Sequence, residues 1–153
     1  MGTGLYLLTA LTLTTLGVWA ADSAERWFGR PDDGRIVIDE VAGQLLALAP
    51  LVPLGRIEEL GLRPQWTLDP DSGALIWFSL VVTAFVAFRV LDVRKPGAVG
   101  WAERRFKGGL GVMADDVVAG VWAAVVVSAL TYIAIVYRLQ IGGIGGIGAG
   151  LPA

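Results

Sequence analysis

Apolar runs alternate with polar and charged segments along this chain, and four of the runs are long. They lie at 4–21, 36–54, 74–91 and 117–137. The first and last carry no charged residue. About 17–25 consecutive apolar residues are enough for an α-helix to cross a bilayer. The pattern therefore predicts four membrane-spanning helices, the second of them bent or ended by Pro50 and Pro53.

The segments between these runs indicate where the helices end. PDDG at 31–34 predicts a turn, 55–73 predicts a polar loop, and Pro96 should end the third helix. No basic residue precedes the first run, so we interpret it as a retained transmembrane helix and not as a signal peptide. The glycine-rich tail at 142–153 is expected to be flexible, which leaves a single all-α domain at 1–141.

The composition agrees with a membrane protein and excludes several functions. Apolar residues make up 55% of the chain, charged residues 17%, and the mean hydropathy is +0.65, which is too apolar for an ordinary soluble domain. The net charge of −2 argues against a nucleic-acid partner. The chain has neither cysteine nor histidine, so disulfides, thiolate metal sites and phosphatases with a cysteine or histidine nucleophile are excluded.

Basic residues orient the four predicted helices. With the N-terminus outside, the first and third loops carry eight Lys and Arg residues, whereas the second loop and the tail carry three. The positive-inside rule favours this orientation. Asp39 and Glu40 then begin the second helix at the cytoplasmic face, and Asp92 ends the third there. Asp115 and Asp116 begin the fourth, so acids from three parts of the sequence meet at one face.

These five acids predict a metal site. Carboxylates that gather at the edge of the hydrocarbon repel one another and need a compensating charge. Mg²⁺ is the natural candidate, because it prefers oxygen ligands and is usually shared between one or two carboxylates and a substrate phosphate. We predict its ligands to be Asp39, Glu40, Asp92 and Asp116. All five acids are candidate catalytic residues, acting with a metal-activated water or as an aspartate nucleophile assisted by the metal.

Basic residues beside the acids predict phosphate binding. Arg89 and Lys95 flank Asp92 at helical spacing, so the three share roughly one face if the helix continues. Arg104 or Arg105 would supply a further cation, since arginine binds phosphate oxygens bidentately. These residues and the acids would then form a single site.

The glycine run GGLG before the fourth helix predicts an anion-binding backbone. Gly109 and Gly111 leave room for phosphate, and the run leads into a helix N-terminus, where N–H groups favour anions.

Each of these features alone, the acids, the basic residues and the glycines, also has a structural explanation. Paired acids stabilise helix N-termini, basic loops orient membrane proteins, and glycine is common in membrane helices. Their arrival together at one face is what favours a site.

Three segments of the chain carry a resemblance to a known family. IVIDEVAG at 36–43, FRVLDVRKP at 88–96 and GGLGVMADDVVAG at 108–120 are similar, in order and spacing, to the signature segments of the phosphatidylglycerophosphatase A family. By motif position, the resemblance nominates Asp39, Glu40, Arg89, Asp92, Lys95, Asp115 and Asp116. It also implies a compact bundle of about four to six helices, mostly apolar and membrane-embedded.

The resemblance implies an activity as well. Members of this family remove the terminal phosphate of phosphatidylglycerophosphate in a Mg²⁺-dependent hydrolysis that gives phosphatidylglycerol. The expected location is the bacterial cytoplasmic membrane, with the active site facing the cytoplasm. Two alternatives stay open: a non-catalytic membrane subunit or transporter, and another phospholipid head-group enzyme such as a CDP-alcohol phosphotransferase. A homo-oligomer is also compatible with the sequence.

Overall fold

The computed structural model describes residues 2–54 and 70–145 of the chain. Within these ranges it contains six α-helices and no strand. They are α1 (Thr3–Phe28), α2 (Ile38–Leu48), α3 (Leu51–Leu54), α4 (Pro70–Arg94), α5 (Ala98–Arg105) and α6 (Gly108–Gly145). The predicted all-α class, with four to six helices, is confirmed.

The first apolar run forms α1, which continues past its predicted end at Ala21 to Phe28. Gly29 follows in the left-handed conformation, with a φ of 67°, and its N–H donates to the Glu25 carbonyl oxygen at 2.9 Å. Glycine is favoured at this helix-ending position because it has no Cβ. The PDDG segment then forms turns between α1 and α2, as predicted.

The second apolar run does not form a membrane-spanning helix. It is divided into α2 and α3, and α2 has 11 residues, which makes it roughly 16 Å long, about half the thickness of the hydrocarbon core. The prediction of a span at 36–54 is therefore wrong. The break at Pro50 is confirmed, since α2 ends at Leu48 and a proline disrupts the preceding helical turn.

α4 contains the third apolar run and is longer than predicted at both ends. It begins at Pro70, inside the predicted loop at 55–73, of which 55–69 lie outside the described residues. It ends just before Lys95 and Pro96, so the predicted stop is confirmed. Lys95 has a left-handed φ of 45°, and the turn it forms leads into α5, a helix that the sequence pattern did not indicate.

α6 begins at Gly108, well before the predicted start at Val117. The GGLG run is therefore the first turn of the helix and not a loop that precedes it. Asp115 and Asp116 consequently lie about two turns inside the helix. The prediction that they begin the helix, as caps or as partners of its dipole, is wrong.

The predicted boundary between the domain at 1–141 and the tail at 142–153 falls inside α6. The helix continues through Gly145, although glycine is a weak helix former. The remaining residues, 146–153, lie outside the described part of the chain, so a flexible tail there stays a prediction.

α2 and α6 cross in close contact at two glycines. A Cβ on Gly43 would lie 2.5 Å from a ring carbon of Phe88 and 2.7 Å from the Asp116 carbonyl oxygen, and a Cβ on Gly120 would overlap the Gly43 carbonyl group. Small residues at such crossings let helix backbones approach each other closely. Phe88 of α4 is fully buried against the crossing. The three helices α2, α4 and α6 therefore converge near the acidic residues that each of them contributes.

Two of the described helices are long and apolar enough to cross a membrane, α1 and the Gly108–Ile133 part of α6. The core helix of a soluble protein can be equally long and apolar, but only 17% of the 18-residue apolar stretch of α1 and 44% of that of α6 are buried. Large apolar side chains are exposed on α1, α4 and α6, among them Leu11, Phe78 and Trp122. An extensive exposed apolar surface is typical of contact with lipid or with a partner protein.

Candidate functional site

Arg89 links two of the predicted acids. It lies near the end of α4, and its Nη1 donates hydrogen bonds to Glu40 Oε1 at 2.8 Å and to Asp92 Oδ2 at 3.0 Å. Glu40 is in the first turn of α2, whereas Asp92 is one turn further along α4. A cation between two carboxylates offsets their repulsion, so Arg89 joins the acid-bearing ends of α2 and α4.

Asp116 of α6 joins this group through Asp92. The two carboxyl groups are close enough to share a hydrogen bond, and Asp116 is only 4% exposed. Two carboxylates in contact need a proton or a cation to offset their like charges. The early start of α6 explains the burial of Asp116, because it moves this residue from the helix end to the crossing with α2.

Lys95 forms a second ion-pair group beside the first. Its Nζ donates to Asp115 Oδ2 at 2.7 Å and to Glu103 Oε1 at 2.8 Å. Burial would lower the pKa of Lys95, but the hydrogen bonds to these two carboxylates outweigh it and raise the pKa, so the ammonium group stays charged. Because α4 ends before Lys95, this residue does not extend the Arg89–Asp92 face as predicted, and its partners belong to α5 and α6.

Asp39, in the first turn of α2, is a buried acid without a cation beside it in the described part of the chain. It is 8% exposed, and its Oδ1 has no hydrogen-bond partner among the described residues. Burial raises the pKa of Asp39 to about 6, against the opposing effect of the backbone N–H groups at the helix start. An acid that only complemented the helix dipole would be solvated. Asp39 is therefore a candidate for proton transfer or for cation binding.

Asp32 lies near Asp39 and the Lys95 group, although the sequence pattern did not nominate it as a site residue. It has a left-handed φ of 46°, and its N–H donates to Glu25 Oε1 at 2.6 Å. Burial raises the pKa of Asp32, the charge of Lys95 lowers it, and the charges of Asp115 and Glu103 raise it further, so the carboxylate lies within electrostatic range of the Lys95 group. The available signal was the pair of acids in PDDG, which we interpreted only as a turn.

Three residues predicted to bind phosphate lie outside these groups. Arg104 is exposed in the last turn of α5. Gly109 packs on α1, where a Cβ would overlap the Val18 carbonyl oxygen, and its N–H is directed at Asp22 Oδ1 at 3.5 Å. A Cβ on Gly111 would lie 2.9 Å from the backbone that follows α5. The glycines thus serve helix packing, and a carboxylate from α1 already lies at the start of α6.

The sequence profile of the phosphatidylglycerophosphatase A family matches residues 1–131. The chain belongs to this family. The match includes all three signature segments and the helices α1, α2, α4 and α5 that surround the site. No solved structure matches the chain significantly.

Curated relatives support this phosphatidylglycerophosphatase A membership. A phosphatidylglycerophosphatase A of Escherichia coli is 33% identical over 120 residues, which cover 78% of this chain and 57% of the relative. A phosphatidylglycerophosphatase A of Haemophilus influenzae is 27% identical over 132 residues, covering 86% and 68%. A Bacteroides thetaiotaomicron protein, whose name proposes a phosphatidylinositol-3-phosphatase, is 33% identical over 120 residues, covering 78% and 62%. The chain therefore spans about three fifths of the length of the Bacteroides thetaiotaomicron and Escherichia coli relatives.

A divalent cation fits part of this site. Across the described ranges, no three acidic side chains form a metal-binding group, so the four predicted ligands do not surround one point. Asp92 and Asp116 are in contact, Asp39 has an unpaired buried oxygen, and Glu40 is occupied by Arg89. Mg²⁺ commonly uses one or two carboxylates and completes its coordination with water and substrate phosphate. The Asp92–Asp116 pair fits that pattern.

Proposed function

We propose that this protein is a Mg²⁺-dependent lipid phosphatase that hydrolyses phosphatidylglycerophosphate to phosphatidylglycerol and inorganic phosphate. The observation that carries the proposal is the meeting of Arg89, Asp92 and Asp116 where α2, α4 and α6 converge, at the end of an apolar bundle. Cations, acids and a surface suited to lipid are what hydrolysis of a lipid phosphate monoester requires. Two relatives carry this activity in their names.

Arg89 and Lys95 are the residues that we assign to the substrate phosphate. Each donates hydrogen bonds to one aspartate and to one glutamate that is more exposed. Phosphate oxygens would replace the exposed partners, Glu40 and Glu103, because charge-assisted bonds to a dianion are stronger and arginine can bind two oxygens at once. The aspartates would stay in place and keep both cations oriented.

Asp92 and Asp116 are the residues that would hold Mg²⁺. When bound, the ion supplies a Lewis acid that offsets charge on the phosphoryl group. Arg89 orients Asp92 by its hydrogen bond, and Arg89 and Lys95 stabilise the negative charge on the transferring phosphoryl oxygens.

Asp39 is the residue that we assign as proton acceptor. Its pKa, raised by burial to about 6, is close to the value at which a general base works best near neutral pH. The water oxygen bonds to phosphorus while the bond from phosphorus to the glycerol oxygen breaks. One water proton passes to Asp39, and the glycerol oxygen takes up a proton from the solvent as phosphatidylglycerol leaves.

The proposed location is the bacterial cytoplasmic membrane, with the site toward the cytoplasm. The family and the two apolar helices support the membrane location, and the basic residues at the site end of α4 and in α5 support the cytoplasmic orientation. A phospholipid head group would then reach Arg89 and Lys95 at the membrane surface while its chains stay in the bilayer.

A phosphatidylinositol-3-phosphate phosphatase is a second candidate, because one relative carries that proposal in its name. The two activities share the chemistry of a phosphate monoester and differ in the head group. The test is phosphate release by the purified protein in detergent micelles from phosphatidylglycerophosphate, phosphatidylinositol-3-phosphate and phosphatidic acid, each with Mg²⁺ and with a chelator. We expect the highest kcat/KM with phosphatidylglycerophosphate and no release with the chelator.

Other outcomes of this assay would favour the remaining alternatives. Release that persists in the chelator would contradict the metal requirement. No release from any of the three lipids would favour a non-catalytic membrane subunit. In a separate incubation with a CDP-activated lipid and an alcohol acceptor, release of CMP would favour a phosphotransferase.

A further inference from the structure

A groove lies between α2 and α4, and it begins at the candidate site. Its cavity volume is about 440 Å³, within the range of roughly 300–1,000 Å³ that is common for ligand pockets. Glu40 and Arg89 form its charged end, and the other walls are mainly apolar. They include Val41, Leu45, Phe85 and Phe88.

The direction of the groove follows from the register of the two helices. Glu40 meets Arg89 at the charged end, and one turn further along α2, Gly43 packs on Phe88 of α4. Positions increase along α2 as they decrease along α4, so the groove runs from the charged end toward Leu45 and Phe85. Five residues of helix give it a length of roughly 8 Å.

We infer that one acyl chain of the phospholipid substrate lies in this groove, with the head group at Arg89; this inference rests on the proposed function. The argument is charge complementarity along the groove. A phospholipid joins an anion to an apolar chain, and the groove joins a cation to apolar walls. Val41 and Phe85 are 46% and 54% exposed, so the groove is open at its side, where a chain can enter from the bilayer.

The short length of the groove makes the inference specific. An extended chain advances about 1.2 Å per bond, so roughly 8 Å holds only about six carbons. The groove therefore contacts the part of the chain nearest the head group and leaves the remainder in the bilayer. In mixed micelles at a fixed mole fraction of lipid, kcat/KM of the wild type should rise with acyl length up to about six carbons and then stay constant. A continued rise to sixteen carbons, or no rise at all, would contradict the inference.

A bulky side chain in the groove is the first test by mutation. Val41→Trp places a large side chain between the walls, and we expect kcat/KM for a sixteen-carbon substrate to fall about tenfold or more, while the value for the deacylated substrate, which has no acyl chain, changes by less than about threefold. Val125→Trp is the matched control, because Val125 is similarly exposed, at 52%, on α6 and outside the groove. Phe85→Ala, which removes one wall, should cause the same selective loss if Val41→Trp fails to fold. Equal losses with both substrates, or equal effects of Val41→Trp and Val125→Trp, would overturn the inference.

A binding experiment separates this inference from the proposed function. A phosphatidic acid analogue with a photoreactive diazirine at carbon 5 of one acyl chain is irradiated with the wild-type protein in micelles. The label should attach to peptides that contain Val41 or Phe85, and excess phosphatidylglycerophosphate should reduce it about tenfold. Absence of phosphate release together with this labelling would reject the proposed function and keep the groove. Labelling elsewhere, or cross-links that join two copies of the chain through the groove, would reject the groove as an acyl site.

Discussion

Arg89 and Glu40 are 49 positions apart in the sequence, and the guanidinium of one donates a hydrogen bond to the carboxylate of the other at 2.8 Å. Their side chains are 39% and 48% exposed, and exposed ion pairs contribute only about 0–1 kcal/mol to stability. The pair therefore adds little to the free energy of unfolding. Its position beside Asp92, at the charged end of the α2–α4 groove, indicates a role in binding substrate.

Arg89→Lys should lower kcat/KM by about 10–100-fold, which corresponds to about 1.4–3 kcal/mol of transition-state binding. Lysine keeps the charge but lacks the planar group that holds two oxygens at once. The measurement is steady-state phosphate release at saturating Mg²⁺, with the unfolding temperature recorded in parallel. We expect the unfolding temperature to change little.

Lys107→Arg is the matched control for this change. Lys107 is exposed between α5 and α6, where a role in membrane orientation alone is sufficient, and exchange of lysine and arginine should leave activity unchanged. Membrane orientation is checked for both variants. Equal losses at the two positions, or no loss at either, would mean that Arg89 is not a site residue.

Gly120→Ala should destabilise the fold by about 1–3 kcal/mol. The new Cβ would overlap the Gly43 carbonyl group, and a backbone group cannot rotate out of the way as a side chain can. The shift would separate α2 from α6 and so disturb Asp116 as well. Denaturant unfolding of the purified protein in micelles measures the change in the free energy of unfolding.

Gly4→Ala is the control for the glycine crossing. Gly4 lies in the first turn of α1, and a Cβ there would have no neighbour within 4 Å. Alanine is the better helix former by roughly 0.5–1 kcal/mol, so stability should be unchanged or higher. Similar destabilisation by both substitutions would show that the α2–α6 crossing is not tightly packed.

Some parts of the fold follow from local sequence alone. The apolar run at 4–21 correctly predicted α1, and Pro50 and Pro96 correctly predicted where α2 and α4 end. Both signals act over a few residues, since one depends on the length of an apolar run and the other on the geometry of proline. The start of α6 could not be predicted in the same way. Glycine is a weak helix former, but a Cβ on Gly109 would overlap the Val18 carbonyl oxygen of α1. The packing of α1 on α6 is a tertiary contact that the local sequence does not indicate.

The site was predictable to the extent that its residues lie in motifs. Arg89, Lys95 and the contact between Asp92 and Asp116 link four of the acids, at positions 40, 92, 115 and 116. Asp39 precedes Glu40 in the first turn of α2 and has no such link within the described ranges. Their assigned roles stay predictions. Asp32 was missed because its position depends on where α1 ends, at Gly29, and on a left-handed φ. A turn motif specifies neither of these.

Lowering the pH should weaken the turn before α2 through Asp33. The hydrogen bonds from Arg35, at 2.7 and 2.8 Å, lower the pKa of Asp33 to about 2. Because the unfolded carboxyl titrates near ~3.9, this contribution to stability is complete above that pH and is lost as the pH falls through about 2. The unfolding temperature of the wild type should thus fall relative to that of Asp33→Asn between about pH 4 and pH 2. Parallel curves for the two proteins would rule out this contribution.

Asp116→Asn should abolish Mg²⁺-dependent phosphate release, by at least about 100-fold, without loss of folding. The amide is nearly the same size, so packing against α2 is retained. The change removes the need for a proton or a cation between Asp92 and residue 116, so the unfolding temperature should be equal or higher. Asp92→Asn should behave in the same way, and Asp33→Asn, a matched change outside the Arg89 and Lys95 groups, should keep its activity at neutral pH. Full activity in Asp116→Asn would leave the buried acids with a structural role only, and the proposed Mg²⁺ site would have to be abandoned.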